Sequence, residues 1–119
     1  MKIIIFLFLF SFSTISSVQA MSGHEWLSQC ESHKNFELTA CLCYLQGVRE
    51  MYRHMVKSLF ILEGTPYTVC YPTNITTGQE EKIMRKHLNI NPEQLHFTFT
   101  SLYKNKMMMT FPCKEQDKK

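Results

Sequence analysis

The residues best able to do chemistry in this chain of 119 residues are its cysteines and histidines. A cysteine nucleophile needs a histidine base within hydrogen-bond reach and a third group that orients the base. No histidine stands at a spacing that ties it to Cys43, and the chain has no paired-carboxylate motif and no glycine-rich phosphate loop. The sequence therefore predicts no catalytic residues and a protein that is not an enzyme. The cysteines are Cys30, Cys41, Cys43, Cys70 and Cys113, and the histidines are His24, His33, His54, His87 and His96.

Two groups of residues resemble metal ligands but do not form a complete set. Cys30 and His33 have the spacing of half a zinc site, and no second half follows. Met107, Met108 and Met109 carry thioethers, which are soft copper ligands. Three consecutive helical residues fan over about 200°, however, so they cannot converge on one ion. The sequence therefore predicts no metal site and no cofactor.

The N-terminus has the features of a cleavable secretory signal. Lys2 is followed by the apolar run of residues 3–10, then by a polar stretch that ends in Val18-Gln19-Ala20. The alternative is a membrane anchor, but the apolar run is shorter than the roughly 20 residues that span a bilayer. We expect residues 1–20 to be removed, residues 21–113 to form one domain, and residues 114–119 to be a frayed charged tail. The mature protein would then be periplasmic or secreted, with no membrane span.

Charge and size restrict the function further. Without Lys2 the chain has 12 basic and 10 acidic side chains, so it lacks the basic field of a nucleic-acid-binding protein. A domain this small is hard to stabilise by its core alone. Export to an oxidising compartment makes disulfides available as compensation.

The five cysteines allow fifteen ways of forming two bridges, and the sequence alone cannot choose among them. Cys41 and Cys43 point about 200° apart on a helix, which disfavours a bond between them. Our preferred pairing joins Cys30 to Cys41 and Cys70 to Cys113. Cys43 then remains unpaired or pairs with another chain; the blander alternative, a small buried apolar residue, is favoured about two to one.

The longest element should be a helix over about residues 36–62. Its apolar residues recur in steps of three and four, which places them on one helical stripe. Arg49, Glu50, Arg53 and Lys57 would form the solvent side, and Gly64 would cap the helix end. The stripe consists of Leu38, Cys41, Leu45, Val48, Tyr52, Met55 and Leu59.

Three shorter helices complete the predicted fold, which is all-α, a small disulfide-stapled bundle of about four helices. One spans about residues 22–32, one begins at a capping box of Thr77 and Glu80, and one begins at Asn91-Pro92. Residues 65–76 should be irregular, with residues 67–71 as a weak strand candidate. No convincing strand is predicted elsewhere.

Four landmarks, taken in register, carry a family resemblance. They are Ala40-Cys41-Leu42-Cys43-Tyr44-Leu45-Gln46-Gly47-Val48, Val69-Cys70-Tyr71-Pro72, Ile75-Thr76-Thr77-Gly78-Gln79, and Asn91-Pro92-Glu93 followed by Phe111-Pro112-Cys113. In these motifs, from about Trp26 to Cys113, the chain resembles the Rap/Tai immunity proteins. These are periplasmic inhibitors of the cell-wall amidases delivered by type VI secretion.

The resemblance implies a helical, disulfide-bonded inhibitor, often a homodimer, that blocks a cognate amidase or peptidase effector. The family usually has glycine at the position of Cys43, which raises the prospect of an intermolecular bridge there. Its inhibitory contacts lie in variable loops and cannot be transferred residue by residue. The alternatives are a periplasmic stress chaperone, or a secreted accessory protein that keeps the fold without the toxin.

Two exposed segments are the candidate partner-binding sites. The first lies within residues 65–74, where a disulfide at Cys70 would stiffen the chain and reduce the entropy lost on docking. Its tyrosines are equally well explained as ordinary half-buried residues or as binding anchors. The second is the turn at residues 89–91. The candidate residues are Tyr67, Tyr71, Pro72, Asn74, Asn89 and Asn91.

Overall fold

The computed structural model describes residues 19–64 and 68–114. Tyr67, nearly all of the proposed signal and most of the C-terminal tail lie outside the described residues. Within these ranges the fold is all-α, as predicted, with four α-helices and no strand. The α-helices are α1 (Gly23–Cys30), α2 (Asn35–Glu63), α3 (Thr77–Ile90) and α4 (Phe99–Thr110), and a 3-10 turn lies at Pro92–Gln94.

The start of α1 is fixed by a capping box. Ser22 Oγ accepts a hydrogen bond from the Glu25 backbone N–H at 3.2 Å, and the Ser22 N–H donates to the Glu25 carboxylate at 2.7 Å. That backbone hydrogen bond lowers the pKa of the Glu25 carboxyl. The helix ends at Cys30, where the chain turns toward α2.

The cap of α3 differs from the prediction by one residue. Thr76 and Gln79 form the capping box, and the predicted pair of Thr77 and Glu80 is wrong. The reason is that the Thr77 hydroxyl accepts a hydrogen bond from Arg49 and the Glu80 side chain is fully buried. The helix start therefore shifts so that Glu80 can face the arginines of α2.

The last helix also begins later than predicted. Asn91-Pro92 opens only the 3-10 turn, and α4 starts at Phe99. The backbone between the 3-10 turn and α4 accepts hydrogen bonds from the start of α1. The Gly23 N–H donates to the Phe97 carbonyl at 2.9 Å, and the His24 N–H donates to the Leu95 carbonyl at 3.0 Å. These bonds satisfy N–H groups that a helix start cannot satisfy internally, and they explain why the chain is not helical there.

The long helix α2 is the centre of the core only along part of its length. Cys41, Leu45 and Tyr52 are buried, whereas Leu38, Met55 and Leu59 are 38%, 45% and 36% exposed. Gly64 caps the helix as predicted, with a positive φ of 67° that favours glycine. The amphipathic stripe is thus longer than the surface that the other helices cover.

An aromatic cluster joins α1 and α4 to the middle of α2. The Trp26 and Phe99 rings stack with centroids 4.4 Å apart, and the Trp26 indole N–H donates to the Cys41 carbonyl at 3.2 Å. Met107 is buried in the same core, while Met109 is largely exposed, in keeping with the expected fan of three consecutive side chains. Among the described helices, none is both long and apolar enough to cross a membrane.

Candidate functional site

Two disulfides connect the helices. Cys30 at the end of α1 is bonded to Cys41 in α2, and Cys70 before α3 is bonded to Cys113 after α4. These are the pairs that the sequence analysis preferred. The second bridge closes the longer loop, with a sequence separation of 43 against 11. The first bridge links α1 to α2, and the second links the segment before α3 to the segment after α4.

The segment of residues 68–76, which we call the edge segment, is irregular and held at several points. The Cys70 N–H donates to the Phe111 carbonyl at 2.9 Å, and Arg49 Nη2 donates to the Ile75 carbonyl at 2.6 Å. No strand forms in its described part, so the strand candidate finds no support there. Pro72, Thr73 and Asn74 remain exposed between these anchors. The edge segment is therefore a stiff backbone with outward-facing tips.

A buried ionic cluster supports the edge segment from inside. The fully buried Glu80 carboxylate lies 3.1 Å from Arg49 Nε and 3.6 Å from Arg53 Nη2. Burial raises the pKa of Glu80, and the two arginines partly oppose that rise. The prediction that Arg49 lies on the solvent side is wrong, because its side chain is only 11% exposed. The Arg53 side chain is 33% exposed and also faces Glu80. Sequence periodicity could not reveal this, because it does not locate an acidic partner on another helix.

Tyr71 belongs to this supporting cluster more than to the exposed tip. Its hydroxyl lies 2.9 Å from the Tyr103 hydroxyl, and the Arg53 guanidinium lies 4.2 Å from the centre of its ring. Burial raises the pKa of Tyr71 to about 12, although the hydrogen bond with Tyr103 opposes the rise. Tyr71 is therefore half-buried and has a hydrogen-bond partner inside the protein.

The second predicted segment lies at the far end of α3. Asn89 is exposed and donates to Glu31 at 2.9 Å, whereas the Asn91 amide donates to the His87 carbonyl at 2.7 Å. The 14 residues of α3 separate this turn from the edge segment, which corresponds to about 20 Å at 1.5 Å per residue. The structure therefore does not bring the two predicted segments together.

A groove lies beside the edge segment. It has a volume of about 690 Å³ and is bounded by the tip residues Pro72, Thr73 and Asn74 and by Lys82 and Phe111. A projecting tip beside a groove can occlude a partner's cleft while the groove accepts a partner side chain. The groove thus places a concave surface directly beside the exposed tip residues.

A second surface, which we call the apolar groove, was missed by the sequence analysis. It has a volume of about 570 Å³, lies between α2 and α4, and is lined mainly by apolar residues that include Tyr44, Val48, Met51 and Met55. Met51 is 69% exposed. The available signal was the length of the apolar stripe in α2, which exceeds what three short helices can cover.

Cys43 lines the apolar groove and is an exposed free thiol. The preferred view of Cys43 as a small buried apolar residue is therefore wrong. Nothing lies within 4 Å of a Cβ built on the neighbouring Gly47, apart from its own helix backbone and chain neighbours. Among the described residues, no other helix packs closely against this turn, and the surface is open.

Comparison with known proteins identifies a family for this chain. The model of the Rap1a immunity proteins matches residues 22–113, which include all four helices and both disulfides. Neither a curated protein nor a solved structure matches the chain significantly. Because the match extends over most of the sequence, the chain belongs to the Rap1a immunity protein family.

Proposed function

We propose that this protein is an exported inhibitor that binds a cell-wall amidase or peptidase toxin and blocks its cleft with the edge segment. Family membership implies an immunity-type protein with a cognate toxin. The signal-like residues 1–20 support export, which would place the protein in the periplasm, where an amidase delivered by type VI secretion acts on the cell wall.

The observation that carries this proposal is the way in which the edge segment is held. A disulfide at Cys70, a backbone hydrogen bond to Phe111 and a hydrogen bond from Arg49 fix its backbone. Binding loses less conformational entropy when a loop already has its bound shape. Contacts between the exposed tip residues and the partner are therefore offset less by the entropic cost of ordering the segment.

We expect Asn74→Arg to weaken toxin binding at least tenfold, since a bulky charge would be forced into a closely packed interface. The measurement uses the purified protein and a panel of cell-wall amidase and peptidase effectors, with titration calorimetry for affinity and release of cell-wall fragments for inhibition. His24→Arg, at an exposed position on α1, is the matched control and should inhibit like the wild type.

The possible outcomes distinguish an error in the proposed blocking surface from an error in the proposed function. Full inhibition by Asn74→Arg would contradict the edge segment as the blocking surface. Failure of the wild type to bind or inhibit any amidase or peptidase toxin would contradict the proposed function itself.

The apolar groove supports a second part of the proposal, a homodimer. An apolar surface open to water is unfavourable in a monomer and is typical of interaction sites. A second copy placed against α2 would cover Met51 and Met55 and would bring two Cys43 thiols toward one seam. Whether these thiols bond depends on their separation in the dimer.

We expect Met51→Glu to raise the dimer dissociation constant at least tenfold, because it places a charge in the apolar interface. Sedimentation velocity over a concentration series measures this constant. Lys57→Glu changes charge at another exposed position of α2 and should leave it within about twofold. A wild type that stays monomeric at all concentrations, with no Cys43-dependent dimer on a non-reducing gel, would contradict the dimer.

A further inference from the structure

One face of α3 borders open grooves along most of its length. The residues of this face lie three or four positions apart, so they share one side of the helix. The groove beside the edge segment includes the first part of the face, and a smaller groove of about 230 Å³ between α3 and α4 includes the rest. Ile83 lines both, so they form one continuous surface, which we call the basic groove. Its residues on α3 are Gln79, Lys82, Ile83, Lys86, His87 and Ile90.

The basic groove has cations on both sides and no carboxylate in its lining. Lys82 and Lys86 lie on α3, and Lys106 lines the opposite side on α4. None of these three lysines forms an ion pair within the described part of the chain. The two carboxylates of α3, Glu80 and Glu81, are buried and paired with arginines. The positive charge of the groove is therefore not balanced by any residue that lines it.

Apolar side chains accompany the lysines. Ile83 is half-buried in the middle of the groove, and Ile90, at its far end, is 68% exposed. Lys106 is also half-buried. Lysines on a convex, hydrated helix face serve solubility alone. Here the charges border a groove that also offers apolar contacts, which favours a partner with both carboxylates and apolar side chains.

The basic groove lies between the two segments that the sequence analysis selected. The tip residues 72–74 border one end, and Ile90, within the turn of residues 89–91, borders the other. From Gln79 to Ile90 the face is about 16 Å long at 1.5 Å per residue. An extended chain covers this distance with about five residues at 3.3 Å each. The groove is thus long enough for a short peptide segment, and it adjoins the tip that is proposed to contact the toxin.

Other occupants fit this surface less well. A flat anionic membrane would contact the exposed Lys82 and Lys86 but not the half-buried Ile83. The C-terminal tail of residues 114–119 has three lysines against two carboxylates, so its charge does not complement the groove. A protein segment rich in carboxylates can enter the groove and contact both the lysines and the isoleucines.

We propose that the basic groove binds an acidic, extended segment of the toxin, an inference that rests on the proposed function. Carboxylates of that segment pair with Lys82, Lys86 and Lys106, and its apolar side chains pack on Ile83 and Ile90. Complementary charges of this kind speed association and select the partner more than they add affinity. The edge segment then blocks the cleft, while the basic groove recognises the toxin beside it.

The first test uses a fluorescein-labelled peptide of about eight residues, in which glutamates alternate with leucines, and the same peptide with lysine in place of glutamate. Fluorescence anisotropy measures binding of each peptide to the purified protein. We expect the wild type to bind the glutamate peptide, more weakly as added salt screens the charges, and not to bind the lysine peptide. No binding of the glutamate peptide, or equal binding of both peptides, would overturn the proposal.

Charge reversal then locates the binding. Lys86→Glu, at an exposed position of the groove, should weaken binding of the glutamate peptide by about fivefold or more, because repulsion replaces attraction. Lys57→Glu makes the same change of charge on α2, outside the groove, and should alter the affinity by less than about twofold. Circular dichroism checks that both variants fold. Equal effects of the two substitutions would overturn the proposal, as would wild-type binding to phosphatidylglycerol vesicles in preference to the glutamate peptide.

Titration of the effector panel distinguishes this inference from the proposed function. With an effector that the wild type inhibits, Lys86→Glu should bind about fivefold more weakly or worse, and Lys57→Glu should match the wild type. An inhibited effector that Lys86→Glu binds as tightly as the wild type does would overturn the groove proposal while the proposed function stands. Binding of the glutamate peptide without inhibition of any effector would contradict the proposed function, while the preference of the groove for acidic segments stands.

Discussion

Replacing Arg49 with methionine is expected to lower the free energy of unfolding at neutral pH by about 3–5 kcal/mol, as for other buried ion pairs that lose one partner. Arg49 is the closest cation to the buried Glu80 carboxylate, with Nε 3.1 Å from Oε2. Its removal leaves this charge with Arg53 at 3.6 Å and also removes the hydrogen bonds to Ile75 and Thr77. Urea denaturation followed by circular dichroism measures the change.

A double variant separates the charge from the lost hydrogen bonds. Glu80→Gln removes the buried charge that has lost its closest cation, so Arg49→Met with Glu80→Gln should regain a large part of the lost stability. Lys34→Met is the control for losing an exposed ion pair, since the side chains of Lys34 and Glu37 are 79% and 37% exposed; no measurable change is expected. A double variant no more stable than Arg49→Met would contradict the role assigned to the Glu80 charge.

The same carboxylate gives the wild type a pH dependence of definite sign. Burial raises the pKa of Glu80 in the folded protein above its ordinary value of 4.5, so the folded state holds the proton more tightly than the unfolded state does. Relative to Glu80→Gln, wild-type stability should be greatest below pH 4.5 and should fall as pH rises through the raised pKa. Denaturation of both proteins over a pH series measures this difference, and a difference that grows with pH would contradict the raised pKa.

Removing the Cys70–Cys113 bridge should have an effect of similar size. On chain entropy, a bridge with a sequence separation of 43 contributes about 4 kcal/mol, against about 3 kcal/mol for the Cys30–Cys41 bridge. We therefore expect the Cys70→Ala, Cys113→Ala protein to lose about 4 kcal/mol of unfolding free energy. Cys43→Ala, which removes the exposed free thiol, is the matched control and should change stability little.

This bridge also links stability to the proposed inhibition. Without it, the edge segment keeps its hydrogen bonds from Arg49 and to Phe111 but loses its covalent anchor. The double variant should then bind the toxin more weakly than Cys43→Ala does, because its edge segment must lose conformational entropy on binding. Calorimetry at a temperature where circular dichroism shows both proteins folded makes this comparison; equal affinities would show that the bridge stabilises the domain without shaping the blocking surface.

The sequence predicted the existence of most helices but not all of their ends. The three-four spacing from Leu38 to Leu59 predicted the long helix, and Gly64 marked its end as observed. The start of α4 was placed too early, because the backbone carbonyls of Leu95 and Phe97 accept hydrogen bonds from α1. Local patterns contain no information about such long-range partners.

The sequence by itself determined the all-α class, the long amphipathic helix and the family motifs, because these follow from local periodicity and from short runs of residues. Only the tertiary structure decided that Glu80 is buried against Arg49 and Arg53, that Cys43 is exposed, and that Lys86 and Lys106 line one groove. Each of these facts depends on how separate helices pack together. Helical periodicity tells which residues share a face, whereas only packing decides what covers that face.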